Sequence, residues 1–136
     1  KIANKALDRI QRISLANIPF KPNTTIDFAH FFDDVVGVSI PYDDVEKETI
    51  ILRFTQTRYP YVTSKPIHKS QATVNEKECT VSLSVKPTRE LEQQILSYGS
   101  DVEVLSPESF RLQIAEKIAD NYKKYFPVQN ECIDGI

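Results

Sequence analysis

ELEQQILSYGSDVEVLSPESFRLQIAEKI, residues 90–118, carries helix, stop, strand and helix signals in one run. Leu91, Ile95 and Tyr98 recur at helical spacing, and Gly99 follows where a left-handed residue ends a helix. Val102 and Val104 alternate with Glu103 as a short strand. Ser106 is placed to accept hydrogen bonds from the free amides of a second helix. Pro107 falls where a missing N–H is harmless, and Glu108 meets the positive end of the dipole. Phe110, Ile114, Ile118 and Tyr122 then form one apolar stripe, with Ala115 and Ala119 beside it, until Pro127 forbids continuation.

Upstream, Cys79, Val81, Leu83 and Val85 alternate with Thr80, Ser82 and Ser84 as a strand, and Thr88 caps the helix that follows. Asn75 to Glu78 is a polar loop of hairpin length, and Ile67 to Val74 reads as extended. A short helix begins near Tyr59 with Pro60 in its first turn. Before it, Ile50, Leu52 and Phe54 alternate with Ile51 and Arg53 as a half-buried strand. The order strand, helix, strand, strand, helix, strand predicts an α+β, ferredoxin-like βαββαβ domain with an extra C-terminal helix.

The first forty residues read differently. Ala6, Leu7, Ile10, Ile13 and Leu15 suggest one or two strands that complete a sheet supplied by another domain. Residues 17–23 form a proline-bearing connector. Asp27 caps a short helix carrying Phe28, Phe31 and Phe32, which are expected to pack into a core, and Gly37 ends it. Val38 to Ile40 is a further strand, and Pro41 to Glu48 a linker. The organisation expected is residues 1–40 as the end of a preceding domain with a connecting helix, 41–127 as the ferredoxin-like domain, and 128–136 as a loose tail.

Composition narrows function. The chain has 136 residues, a net charge of -2 and no Met, which with Lys1 as first residue suggests a piece of a longer protein. An acidic balance does not suit a free-standing binder of duplex DNA, which needs a clustered basic face. Cys79 and Cys132 are too few and too far apart for a metal site or a disulfide framework, so both read as free thiols in a reducing compartment, Cys79 packing in the core. No apolar run approaches the roughly 20 residues that span a bilayer.

Residues able to do chemistry are sparse. His30 and His68 each lack a second ligand at metal spacing, Asp33–Asp34 and Asp43–Asp44 read as solvated pairs, and Gly37, Gly99 and Gly135 form no phosphate loop. The turn from Gly99 to Asp101 has amides that can meet an anion, though ending the helix explains it. No enzyme activity, cofactor or metal is expected. The positive residues Arg53, Lys65, His68 and Lys69 stand out as a cluster able to receive an anionic ligand in a ferredoxin-like sheet, and Arg9 is a similar residue upstream. The plainer alternative is an ordinary charged sheet face with ion pairs.

ALDRI (6–10), DFAHFF (27–32) with Gly37-Val38, ILRF (51–54), PIHKSQ (66–71) and ILSYGSDVEVLSPES (95–109) resemble the C-terminal part of bacterial WYL-domain transcriptional regulators. The resemblance runs from about Ala6 to Tyr125, and YGSDVEVLSPES is its specific part. It implies a cytoplasmic regulator whose winged helix-turn-helix binds DNA. An Sm-like barrel, the WYL domain, follows, and then a ferredoxin-like extension. It also implies a nucleotide or single-stranded nucleic acid effector and a homodimer, with no membrane partner. The helix-turn-helix and the Trp-Tyr-Leu motif are absent, so only the last WYL strands remain, to about Leu15. Arg9, Arg53 and His68 are the matching basic positions, and with Lys65 they are the expected ligand contacts. Two alternatives stay open: a ligand-independent oligomerisation domain, and a small-molecule-binding regulatory domain of a metabolic enzyme. The latter calls for glycine between the first strand and helix, and TQTRYP (55–60) has none.

Overall fold

The alternation of Ile50, Leu52 and Phe54 turns every second side chain of one strand to the same face, and that face is buried. The computed structural model describes residues 6–41 and 45–127. Its elements are β1 (Glu48–Phe54), α1 (Tyr59–Ser64), β2 (Ala72–Asn75), β3 (Thr80–Val85), α2 (Arg89–Ser97), β4 (Val102–Ser106) and α3 (Glu108–Tyr125). The four strands pair in the order β2-β3-β1-β4, all antiparallel. This is the expected ferredoxin-like arrangement with its additional C-terminal helix.

Register follows from the apolar pattern. Ile50 faces Leu83 and Leu52 faces Val81 across the β1–β3 ladder, while Leu52 faces Val104 across β1–β4. A slip of one residue would turn all of these outward. Leu91 and Ile95 of α2, Tyr59 and Val62 of α1, and Phe110 and Ile114 of α3 close the core against that face. Each fully buried side chain of this size contributes about 1.5–3 kcal/mol relative to exposure.

The helix signals resolve in detail. Pro60 lies in the first turn of α1 as expected. Thr88 caps α2, its hydroxyl accepting from the Leu91 amide at 3.2 Å. Gly99 adopts φ +59 and leads into a short 3-10 turn, Gly99–Asp101. The entry to α3 departs from expectation, because Ser106 ends β4 and Pro107 takes the cap position with no side-chain cap. Ser106 is committed to the β1 ladder, opposite Ile51, and does not cap the helix.

Both sheet edges are managed. β2 is short, exposed and bulged between Thr73 and Asn75, features that discourage edge-to-edge pairing. At the other edge the Arg111 guanidinium of α3 donates to the Val104 carbonyl. Lys117 of α3 reaches Glu92 of α2 at 3.1 Å. The α3 stripe is covered over only half its length: Phe110 and Ile114 are buried, whereas Ile118 and Tyr122 are 53% and 62% exposed.

Cys79 is buried in the core as expected, but it precedes β3 at the end of the hairpin with φ +54 rather than lying within the strand. The segment before β1 departs most. Residues 6–41 contain a 3-10 turn at Leu7–Arg9 and no strand, neither near Ala6 to Leu15 nor at Val38 to Ile40. Leu7, Ile13 and Leu15 stand in solvent with no ladder beside them, and a period-2 pattern becomes a strand only when a neighbour takes its backbone bonds. Asp27 does accept from the Ala29 amide at 3.0 Å, but residues 28–34 close as successive turns rather than a helix. Phe31 packs edge-on against Phe28 and Phe32, and none of the three belongs to the buried core. Asp43, Asp44, Cys132, Gly135 and the tail from residue 128 lie outside the described residues.

Candidate functional site

The basic residues singled out by sequence fall in separate places. Arg53 projects from β1 opposite the core face and is exposed. Its guanidinium pairs with Glu103 of β4, and the other oxygen of Glu103 takes Arg111 of α3 at 2.9 Å. These cations, Arg111 foremost and then Arg53, hold the Glu103 carboxyl below its usual range. Two guanidinium groups therefore share one carboxylate.

His68 lies elsewhere. The Ser70 hydroxyl accepts from the Ser84 amide at 2.9 Å, and Ser84 faces Thr49 in the ladder, four residues along β1 from Arg53. At about 3.3 Å per residue that is about 13 Å. Arg53 and His68 therefore meet the sheet towards opposite ends of β1. Lys65 follows α1 and is exposed, its amide bonded to the Tyr61 carbonyl at 2.9 Å. Arg9 ends the exposed 3-10 turn near the start of the chain.

The surroundings of His68 were not legible beforehand. Asp33, Asp34, Lys47, His68, Lys69, Ser70 and Ser84 line a shallow cleft of about 420 Å3. Lys69 Nζ is 2.5 Å from Asp33, and Lys47 Nζ is 2.9 Å from Asp34. The aspartates read as solvated are ion-paired, and Lys69 is already neutralised. His68 Nδ1 accepts from the Ser70 amide at 3.1 Å and meets the Ser70 hydroxyl at 2.8 Å. An imidazole nitrogen that accepts an N–H carries no proton, so the geometry selects the neutral ring. Burial first, then the Lys69 charge, pushes the His68 pKa down; the Asp33 carbonyl and the two aspartates oppose this. The bonds along Ser84, Ser70 and His68 connect β3 to this acidic pair.

A second concavity, of about 690 Å3, runs between the end of α2 and α3. Ile95, Leu96, Val102, Ile114 and Ile118 form its floor, and Lys117 and Lys124 lie at its margin. The stripe of α3 predicted its apolar lining, but only packing shows that α2 leaves the far half open. Among the described residues no group of three or more His, Cys, Asp or Glu is placed to hold a metal ion. Nor is any described helix long and apolar enough to cross a membrane.

No curated protein matches the chain. The WCX domain family matches residues 46–120, more than half of the 136 residues, from just before β1 into α3. The matched span holds the entire βαββαβ unit together with Arg53, Glu103, Arg111 and His68, and leaves Asp33 and Asp34 outside. That match covers more than half of the chain, which therefore belongs to the WCX domain family, C-terminal domains associated with WYL-domain regulators.

Proposed function

We propose that this chain is a non-enzymatic regulatory module of a bacterial, cytoplasmic WYL-type transcription regulator, and that it carries a homodimer contact. Through that contact it couples the state of an effector to the orientation of a DNA-binding domain elsewhere in the protein. The supporting observation is the open half of α3. Its stripe continues from buried Phe110 and Ile114 to exposed Ile118, Tyr122 and Phe126, with the last two rings stacked at 4.8 Å. Contiguous apolar surface of this kind marks a contact with another macromolecule. A dimer surface transmits a signal only if one quaternary arrangement binds the effector better than the other.

The test is sedimentation equilibrium of the chain over a wide concentration range. The expected result is a monomer–dimer equilibrium that Ile118→Glu with Tyr122→Glu shifts to monomer while far-UV circular dichroism and thermal melting are preserved. A wild-type chain that stays monomeric at high concentration, or variants that still dimerise, removes the reading.

A second reading places an anionic effector, a nucleotide or single-stranded nucleic acid, against Arg53, with Arg9, Lys65 and His68 contributing from separate points. It is supported by the sharing of Glu103 between Arg53 and Arg111, which leaves one positive charge in excess. Arg53→Ala is expected to weaken effector binding by the full regulator at least about tenfold, as loss of a charge-assisted hydrogen bond does. Unchanged affinity ends that reading.

A further inference from the structure

Residues 33–37, Asp-Asp-Val-Val-Gly, occupy a seat assembled from four separate parts of the domain. Lys69, in the loop before β2, pairs with Asp33 at 2.5 Å, and Lys47, just before β1, pairs with Asp34 at 2.9 Å. The Lys86 amide, just after β3, donates to the Asp34 carbonyl at 2.7 Å. The Thr88 hydroxyl donates to the Val36 carbonyl at 3.5 Å while it caps α2. Val35 between these contacts is 5% exposed, although Phe28 and Val38 on either side are 57% and 60% exposed. Gly37 closes the set with φ +86, and a Cβ built there would stand 2.9 Å from Glu90 Cγ.

The seat is therefore selective at each position. Two cations receive two carboxylates, Val35 is buried between them and the α2 cap, and Gly37 holds a positive φ where a side chain would crowd Glu90. Lys47, Lys69, Lys86, Thr88 and Glu90 all lie within the WCX match, and the seated segment lies wholly before it. We infer that residues 33–37 are a latch that clips onto the WCX domain and fixes the direction in which the preceding chain leaves it. The latch is independent of the self-association proposed above, since it forms within one chain. Apart from buried Val35 and half-buried Val36, which packs against the core cluster, it is held by partly exposed ion pairs and single hydrogen bonds, with no ladder of its own. Such a segment opens at lower free energy than the sheet it rests on, so it can release the preceding chain while the domain stays folded.

Amide hydrogen exchange of the full chain tests this, with the Lys86 amide reporting the latch and the β1 and β3 ladder amides reporting the fold. K47E/K69E and, separately, V35D are expected to speed Lys86 exchange by about tenfold or more, with the ladder amides unchanged. Combining K47E/K69E with D33K/D34K, which reverses both ion pairs, is expected to return Lys86 to its original rate. The latch is overturned if Lys86 exchange does not respond to either variant, or if the reversed pairs fail to restore it. It is also overturned if the ladder amides accelerate together with Lys86, because residues 33–37 would then open only with the whole domain.

Discussion

Arg58 and Asp101 lie 43 residues apart, and Arg58 holds one carboxylate oxygen of Asp101 from both Nε and Nη2 at 3.1 Å. The other oxygen accepts from the Thr55 hydroxyl at 3.1 Å, and the Asp101 carbonyl accepts from the Thr55 amide at 3.0 Å. Asp101 thus ties the turn leaving β1 to the turn entering β4. Arg58 is held from the other side by the face of Tyr98, 5.9 Å from the ring centre. Within that turn the Asp101 amide donates to the Tyr98 carbonyl at 3.1 Å, while its carboxylate is taken up by Arg58 and Thr55.

Replacing Asp101 removes the acceptor for both Arg58 and Thr55. Asp101→Ala is expected to lower unfolding free energy by about 1–2 kcal/mol, and Asp101→Asn by less, since one acceptor oxygen remains. Urea denaturation read by circular dichroism measures this, and an unchanged midpoint for Asp101→Ala would show that the tie contributes nothing.

The two halves of the α3 stripe should respond differently to truncation. Phe110 is 1% exposed, and Phe110→Ala is expected to cost about 3–5 kcal/mol through lost burial and the cavity left behind. Ile118→Ala, on the open half, should change monomer stability by no more than about 0.5 kcal/mol. Equal losses at the two positions, measured at concentrations where the chain is monomeric, would contradict the packing described for α3.

His68 sets a pH window apart from that of the carboxylates. Its folded pKa lies below the ordinary 6.5, so the folded state favours the neutral ring. Its contribution is complete above about 6.5 and is lost as pH falls from there through the lower folded value. Asp34 and Glu103, also depressed, lose theirs only as pH falls below their ordinary 3.8 and 4.5. The groups facing His68 are Asp33, Asp34, Lys47 and Lys69. Wild-type melting temperature should therefore drop between pH 8 and pH 5.5 by more than that of His68→Asn, which keeps an acceptor near Nδ1 and does not titrate. Parallel pH profiles for the two proteins would be the contrary result.

Gly37 and Gly99 both have positive φ, but only Gly37 is crowded. A Cβ on Gly99 meets nothing within 4 Å, so Gly99→Ala should cost about 1 kcal/mol from backbone conformation, and Gly99→Asn less. Gly37→Ala adds contact with Glu90 to the same backbone term, and should speed Lys86 exchange while leaving the ladder amides protected. Differential exchange on the two variants separates the crowded glycine from the open one.

The alternation around Ile50, Leu52 and Phe54, and again around Val81, Leu83 and Val85, was readable because a strand's two faces are set by a period of two along the chain. Pro60 in the first turn of α1, Thr88 as a cap and Gly99 as a stop were readable for a similar reason, since each acts on backbone groups within a few residues. The same local logic misplaced the cap of α3, because Ser106 was claimed by the β1 ladder. It also assigned strands to Ala6–Leu15, where the pattern is present but no partner strand lies among the described residues.

By itself the sequence determined the order of elements and the face each strand buries, because these depend on spacing along a few consecutive residues. Tertiary structure alone decided that Arg53 shares Glu103 with Arg111 and that His68 sits with Asp33 and Lys69. It also decided that α3 leaves Ile118 and Tyr122 uncovered. Each of these depends on which distant segments the sheet brings within a few ångströms, and charge pairing acts at that range whatever the separation in sequence.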